Sequence, residues 1–299
     1  AEAEKLLRTR YHVSPERSRL CVEASEATVQ AAQLLRPQDV SVYVGIPFCP
    51  TRCAYCSFVS SSIERFSGLL EPYLDALVRE IAHTGELLRA SGRTVRTLYI
   101  GGGTPTTLSA PELDRLLADT KACFDLSACR EFTVEAGRPD TVTEEKLAVL
   151  VSHGVNRVSV NPQTMSDAVL EEIGRHHTAA QVRGAVAMVK KFPQLAFNMD
   201  LIAGLPGDTP ESFSDTVREV IALGAENITV HSLSLKRAAA LFREGKEGAA
   251  GETERMIDYA HQKLAEHGYI PYYLYRQKNT ADNQENTGYA KPGTESLYN

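Results

Sequence analysis

The chain has 299 residues, 43% of them hydrophobic, enough for one large core or two ordinary domains. Its net charge of −6 argues against nucleic acid as the main partner, since a phosphate backbone calls for a basic face. No apolar run reaches the roughly 18–20 residues of a membrane span, and the opening AEAEKLLRTR lacks the apolar stretch of a secretory signal, so a cytoplasmic protein without a membrane partner is expected.

In chain order, residues 1–39 read as a helical segment, clearest in CVEASEATVQAAQLL, expected to pack outside the main fold. Six β-branched runs follow: VSVYVGIPF (40–48), VRTLYIGG (95–102), EFTVEAG (131–137), VNRVSVN (155–161), AFNMDLIAG (196–204) and ENITVHSL (226–233). They read as nearly continuously apolar, as strands covered on both faces are. Helical patterns lie between them. Residues 70–90 place Leu74, Leu77, Val78 and Ile81 on one stripe. Ser109 and Glu112 form a capping box, Thr209-Pro210 is a cap with proline at the first helical position, and residues 256–269 end on Gly268. Residues 234–255 are charged and glycine-rich and are expected to include a mobile loop. The tail from Tyr269 is rich in tyrosine and amides; the first residue is not Met, and a fragment of a longer polypeptide is expected.

Strand–helix alternation six times over implies parallel pairing through right-handed crossovers, in an open sheet or a barrel. Polar or glycine-rich residues end nearly every strand: Cys49, GGGTP, Glu135, Asn161 with Gln163, and Ser232 with Ser234, while Asp200 lies within the fifth. A barrel makes such ends converge on one mouth. The expected fold is therefore α/β, a partial (β/α)6 TIM-like barrel over 40–268, with the helical segment 1–39 before it and an extension, 269–299, after it.

Cysteine usage narrows the chemistry. Cys21, Cys123 and Cys129 stand in apolar surroundings and read as buried small hydrophobes. GIPFCPTRCAYCSF instead gathers Cys49, Cys53 and Cys56. A redox Cys53/Cys56 pair would leave Cys49 unused. Structural zinc wants a second ligand pair, and none follows at finger-like spacing. A cubane iron–sulfur cluster held by three thiolates keeps one iron open to a small molecule.

The C-x3-C-x2-C pattern after a first strand, with Tyr55 before its last cysteine, resembles the radical S-adenosylmethionine (SAM) superfamily. YVGIPFC, GGGTPT, VEAGRPD, VNPQTM, IGRHHT and DLIAGLPGD, in this order, are similar to the oxygen-independent coproporphyrinogen III dehydrogenase family (HemN-like) over about 40–299. CPTRCAYCSF, HSLSLKRAA and the final YYLYRQKNTADNQENTGYAKPGTESLYN resemble its HemZ branch. The resemblance implies a 4Fe–4S cluster on Cys49, Cys53 and Cys56, its open iron taken by the methionine end of SAM. It implies contacts to SAM from Tyr43, Tyr55, Gly102, Gly103, Thr104, Glu135, Gln163, Arg175, Asp200 and the backbone near Ser234. One departure stands out: the well-studied branch carries C-x3-C-x2-C-x-C, and here Phe58 takes the last position, as an aromatic does in heme-chaperone relatives and class C radical methyltransferases.

The implied activity is oxidative decarboxylation of coproporphyrinogen III propionates to vinyl groups through a 5′-deoxyadenosyl radical, with an electron donor such as flavodoxin or ferredoxin. The alternatives are methylation of a small aromatic by two SAM molecules, or heme binding as a chaperone, with His176, His177 or His231 as axial ligand. A substrate with four carboxylates would need local positive charge, for which His176, His177, Lys236, Arg237, Arg276 and Lys278 are candidates. Tyr272, Tyr273 and Tyr275 are candidates to stack on a pyrrole.

Overall fold

The computed structural model describes residues 2–58, 60–244 and 251–298, so the centre of the expected 234–255 loop lies outside the described residues. Two helices, α1 (Glu2–Arg10) and α2 (Pro15–Gln33), precede strand β1 (Asp39–Ile46). Two short strands, β2 (Phe48–Cys49) and β3 (Ser61–Ser62), and helices α3 (Ile63–Phe66) and α4 (Leu70–Ala90) lead into β4 (Thr94–Gly102). Then come α5 (Ala110–Cys123), β5 (Glu131–Glu135), α6 (Glu144–Ser152), β6 (Arg157–Ser159), α7 (Asp167–Glu172), α8 (Ala179–Val189), β7 (Ala196–Ala203), α9 (Pro210–Leu223) and β8 (Asn227–Ser232). The chain continues through α10 (Ala240–Arg243), α11 (Thr253–Glu266), β9 (Ile270–Tyr275) and β10 (Asn286–Ala290).

The main sheet runs β1-β4-β5-β6-β7-β8-β10-β9. Its first six strands are parallel, each next to its predecessor with a helical crossover between, as the alternation predicts. The sheet has two edges, β1 and β9, and the fold is a curled, parallel-rich half-barrel. The expected boundary at 268 falls in the turn that leads α11 into β9, and the tail beyond it belongs to the same sheet. After β8 the chain crosses over to β9 and returns as β10, which fills the slot between them antiparallel to both. Gly288 on β10 makes this possible: a Cβ there would lie 1.9 Å from the ring of Tyr273. On β9, α2 lies close to the edge, Thr28 Oγ1 donating to the Tyr272 carbonyl at 3.3 Å.

The strands are not apolar on both faces. Leu98, Ile100, Val134, Val158, Met199 and Val230 belong to the core shared with the helices. The residues between them, Tyr99, Thr133, Glu135, Ser159, Asp200 and Thr229, are polar and face the inside of the half-barrel. Capping fixes where helices begin: Ser109 and Glu112 close the expected box on α5, and Thr209 caps α9. Cys21, Cys123 and Cys129 are free and only partly buried, less enclosed than expected.

At the N-terminal ends of the strands the interior is closed by a buried ion pair. Arg157 Nε donates to Glu131 Oε2 at 3.0 Å; the residues are 6% and 3% exposed. Arg157 also reaches Asn198, Asn227 and the Thr294 carbonyl. Glu131 accepts from the Ser296 hydroxyl and the Leu297 and Tyr298 amides at 2.8–3.2 Å, which draws residues 294–298 across the base. Glu131→Gln keeps the shape and removes the charge; urea unfolding should show a loss of about 3 kcal/mol. Removing Lys191 from its exposed 2.6 Å contact with Glu144 should cost less than about 1 kcal/mol in the same assay.

Candidate functional site

At the opposite end of the strands lies a cavity of about 370 Å³. Cys49 at the end of β2, and Cys53, Tyr55 and Cys56 in the loop between β2 and β3, line one side; Gly102, Gly103 and Thr104 come from the end of β4. Glu135, Gln163, Arg175, Asp200 and Ser234 complete the wall from the later strands and their loops. Twelve of the thirteen residues singled out in the sequence thus meet at one mouth.

Tyr43 is the exception and is not part of the wall. It is 52% exposed on the edge strand β1 and stacks on Tyr99, ring centroids 5.9 Å apart, below the cavity. Tyr298 stacks on Tyr99 from the tail at 4.5 Å, so an aromatic layer separates the cavity from the ion pair at the base.

Close backbone packing explains the glycine triplet. A Cβ on Gly103 would lie 2.6 Å from the Phe48 carbonyl oxygen and 2.9 Å from Cys49 Sγ. Gly102 has φ +115°, and a Cβ there would lie 2.8 Å from the Ile46 carbonyl oxygen. The Gly103 and Thr104 amides donate to Ile46 and Phe48 at 2.7 and 2.8 Å, and Thr104 Oγ1 lies 3.5 Å from Cys49 Sγ. These glycines therefore let β4 press against the strand that carries the first cysteine.

The cysteine loop is held from several sides. Phe48 and Cys49 pair with Ser61 and Ser62 and close its base. The Ala54 amide donates to Ile173 at 2.9 Å, and the Ala54 carbonyl accepts from Leu241 at 3.0 Å. Arg175 Nε donates to Tyr55 Oη at 3.2 Å, while its Nη1 reaches the Asn161 carbonyl at 2.5 Å. Burial pushes the thiols of Cys49 and Cys56 up, so loading a metal there must release protons.

The donor set fits a cluster better than a single ion. Three thiols share one cavity wall with no histidine among the cysteines of their loop, a donor set suited to iron–sulfur ligation. A cubane carries its irons at separate corners, so its thiolates spread wider than those around one tetrahedral ion. Gln163 Oε1 and Asn161 Oδ1 are buried acceptors without hydrogen-bond partners, which marks this wall as built for polar contact.

Charge is distributed unevenly around the mouth. Glu135 accepts from Tyr99 Oη at 2.6 Å and from the Gly102 amide at 3.2 Å. Asp200 Oδ2 lies 3.9 Å from His231 Nε2. Among the six basic candidates, only Lys236 lines the cavity; His176, Arg237, Arg276 and Lys278 are exposed elsewhere. His177 is buried rather than available to a ligand, and burial lowers its pKa to about 4, with Arg175 and Arg138 adding to the effect. Of the three tyrosines, Tyr275 lines the cavity, Tyr273 packs inside against Thr229 at 3.0 Å, and Tyr272 is buried edge-on to Tyr273. Sequence reasoning missed Arg52, Thr51, Arg138 and the Tyr99 partner of Glu135; only Tyr99 carried a signal, its two-residue spacing from Gly101 on an inward-facing register.

Three thiols and the glycine turn thus gather at the C-terminal ends of the strands of a polar-walled half-barrel. The chain belongs to the Radical SAM superfamily, whose sequence pattern matches residues 43–220. It is similar to the oxygen-independent coproporphyrinogen-III oxidase-like protein HemZ of Bacillus subtilis, 43% identical over 100% of this chain and 61% of that protein. It is 33% identical to the heme chaperone HemW of Lactococcus lactis over 87% of this chain and 64% of the relative. The solved structure of coproporphyrinogen III oxidase (HemN) from Escherichia coli superposes with a TM-score of 0.74 at 26% identity, covering 91% of this chain and 60% of that one. The chain thus spans about three fifths of the length of these relatives.

Burial pushes the Glu135 carboxyl up to about 7 from an ordinary 4.5, against the opposing pull of the Tyr99 hydroxyl. Between those values the folded state keeps a proton that the unfolded chain has released, so this group's contribution to stability falls as pH rises. Glu135→Gln removes that loss. In urea unfolding without added cofactor, the variant should gain about 1–3 kcal/mol on the parent between roughly pH 5 and pH 7.5. A difference constant with pH would put the carboxylate in water.

Proposed function

We propose that the chain is the core of a radical SAM enzyme that oxidatively decarboxylates propionate side chains of coproporphyrinogen III to vinyl groups. The observation that carries the reading is the meeting of the three thiols, the Gly102–Thr104 turn, Glu135 and Gln163 at one cavity. Likeness to HemZ along the whole chain and to HemN in fold supports it.

Cys49, Cys53 and Cys56 would hold a 4Fe–4S cluster, and the residues gathered with them would hold SAM. When bound, this pair supplies one-electron cleavage of SAM to methionine and a 5′-deoxyadenosyl radical, chemistry that belongs to the cofactors. The protein's part is orientation. Glu135, held by Tyr99 and the Gly102 amide, offers carboxylate lone pairs to ribose hydroxyls. Arg175 fixes the Tyr55 ring beside the cysteines. Tyr43, stacked on Tyr99 beside the wall, would contact SAM from the edge strand. Overall, one hydrogen atom leaves the propionate β-carbon to give 5′-deoxyadenosine, carbon dioxide departs, and one electron passes to a separate acceptor. Arg52, Lys236 and His231 at the mouth supply positive or hydrogen-bonding groups for substrate carboxylates, and Phe58 and Tyr275 supply apolar faces. A flavodoxin or ferredoxin would deliver the first electron.

A second reading, a heme chaperone, is favoured by the HemW relatives and by His231, which lines the cavity and would reach a heme iron there. One experiment separates the two. The anaerobically reconstituted and reduced protein, given coproporphyrinogen III and SAM, should release carbon dioxide and 5′-deoxyadenosine together. Serine at Cys49, Cys53 or Cys56 should abolish both along with the bound iron, whereas Cys123→Ser should leave them. Stoichiometric heme binding with no carbon dioxide would favour the chaperone. S-adenosylhomocysteine among the products would point to methyl transfer.

A further inference from the structure

Arg138 has no part in the contacts assigned above. It lies in the loop after β5, and it is 2% exposed even though its guanidinium borders the cavity. A buried guanidinium costs several kcal/mol unless its donors are used. Here they are directed at two targets. Nε and Nη2 form a fork on Asp140, at 3.0 and 3.1 Å. Nη1 donates to Thr51 Oγ1 at 3.0 Å. Thr51 is the middle residue of the Cys49–Cys53 spacer. One planar group thus ties the loop after β5 to the arm between two of the thiols, and Asp140 sets its plane.

We infer that Arg138 is a positioning residue for the metal centre: it fixes the Cys49–Cys53 arm through Thr51 and places a permanent buried positive charge beside the thiolates. The inference rests on the cluster reading above. A cluster becomes more negative by one charge on reduction, so a fixed positive charge nearby favours the reduced form. Asp140 opposes part of that charge. Arg175, whose guanidinium bonds Tyr55, and Arg52 add to it from the facing loops, and His177 is neutral. Arg138 differs from these in gripping the spacer itself, so geometry and charge can be separated by substitution. Thr51→Val breaks the tether and keeps the charge. Arg138→Gln removes the charge. Asp140→Asn leaves the charge less neutralised.

The test is a potentiometric titration of the reconstituted protein followed by electron paramagnetic resonance of the reduced cluster. In Arg138→Gln the reduced-to-oxidised ratio at a fixed poise should fall about tenfold, a shift of about 59 mV for a one-electron couple. Asp140→Asn should raise that ratio. Thr51→Val should leave the midpoint in place but broaden the resonance and lower iron retained after gel filtration. Should Arg138→Gln fail to fold, the raised ratio in Asp140→Asn and the broadened resonance at an unmoved midpoint in Thr51→Val still decide. Variants with the parent's midpoint, line shape and iron content would overturn the inference and leave the cluster reading intact. A parent protein that takes up no cluster would overturn both.

Discussion

The buried pair of Glu131 and Arg157 is what permits this sheet a polar inner wall. An isolated charge inside a barrel is costly, and half a pair costs more than none. Here Glu131 accepts from Arg157, the Ser296 hydroxyl and two backbone amides, while Arg157 also donates to Asn198, Asn227 and the Thr294 carbonyl. With the base satisfied, the layer above can consist of stacked tyrosines, and the layer above that can remain open to a ligand. A closed eight-stranded barrel fills its interior with branched aliphatic side chains and keeps its site to the strand ends and the loops beyond them. This half-barrel uses the strands themselves: Glu135 and Asp200 are strand residues whose positions are set by sheet register.

The cysteines are in the opposite situation. Their loop has little regular structure of its own, so its shape comes from distant segments: the end of β4 through the glycines, Ile173 beyond α7, Leu241 in α10, and Arg138 after β5. Each segment follows a different strand. A motif that reads as local in sequence is therefore fixed by the whole curl of the sheet. A side chain at Gly103 would press directly on Cys49, although it lies far from the cysteine motif in sequence.

Much of this was legible beforehand, for physical reasons that can be named. Strand–helix alternation fixed the parallel order, because only crossovers of that length join parallel neighbours. Chemistry-bearing residues at strand ends converged because the strands are parallel. The strand faces were misread. RTLYIGG, EFTVE and RVSVN alternate apolar and polar residues, yet their density of valine and isoleucine made them look apolar throughout. Read with a period of two, Tyr99 would have fallen on the same face as Glu135. Tyr43 is expected by likeness of motif to contact SAM; the structure puts it on the edge strand β1, stacked on Tyr99. His177 was offered to ligands because it is a histidine, but nothing in one sequence tells a buried neutral ring from an exposed one. The β10 insertion was hidden for a related reason: NTGYA is short, and its pairing depends on Gly288 yielding space to a ring 15 residues earlier, Tyr273.

The wall of the cavity is bipolar, and this bears on what can sit in it. Carboxylates come from the strands, at Glu135 and Asp200; guanidinium and ammonium groups come from the loops, at Arg52, Arg138, Arg175 and Lys236. Strand positions are the more rigid and loop positions the more easily varied. A small ligand carrying both signs is thus oriented by an acidic floor fixed to the sheet, and a larger acidic ligand arriving at the mouth meets cations on the loops. Phe58 belongs to that outer part. It is 70% exposed at the rim, where a fourth cysteine of the longer motif would stand. An exposed aromatic there gives the rim an apolar face among loop residues that include Arg52 and Lys236. The inner half of the cavity is therefore set by the strands and the outer half by the loops, so the two are carried by structurally different parts of the chain.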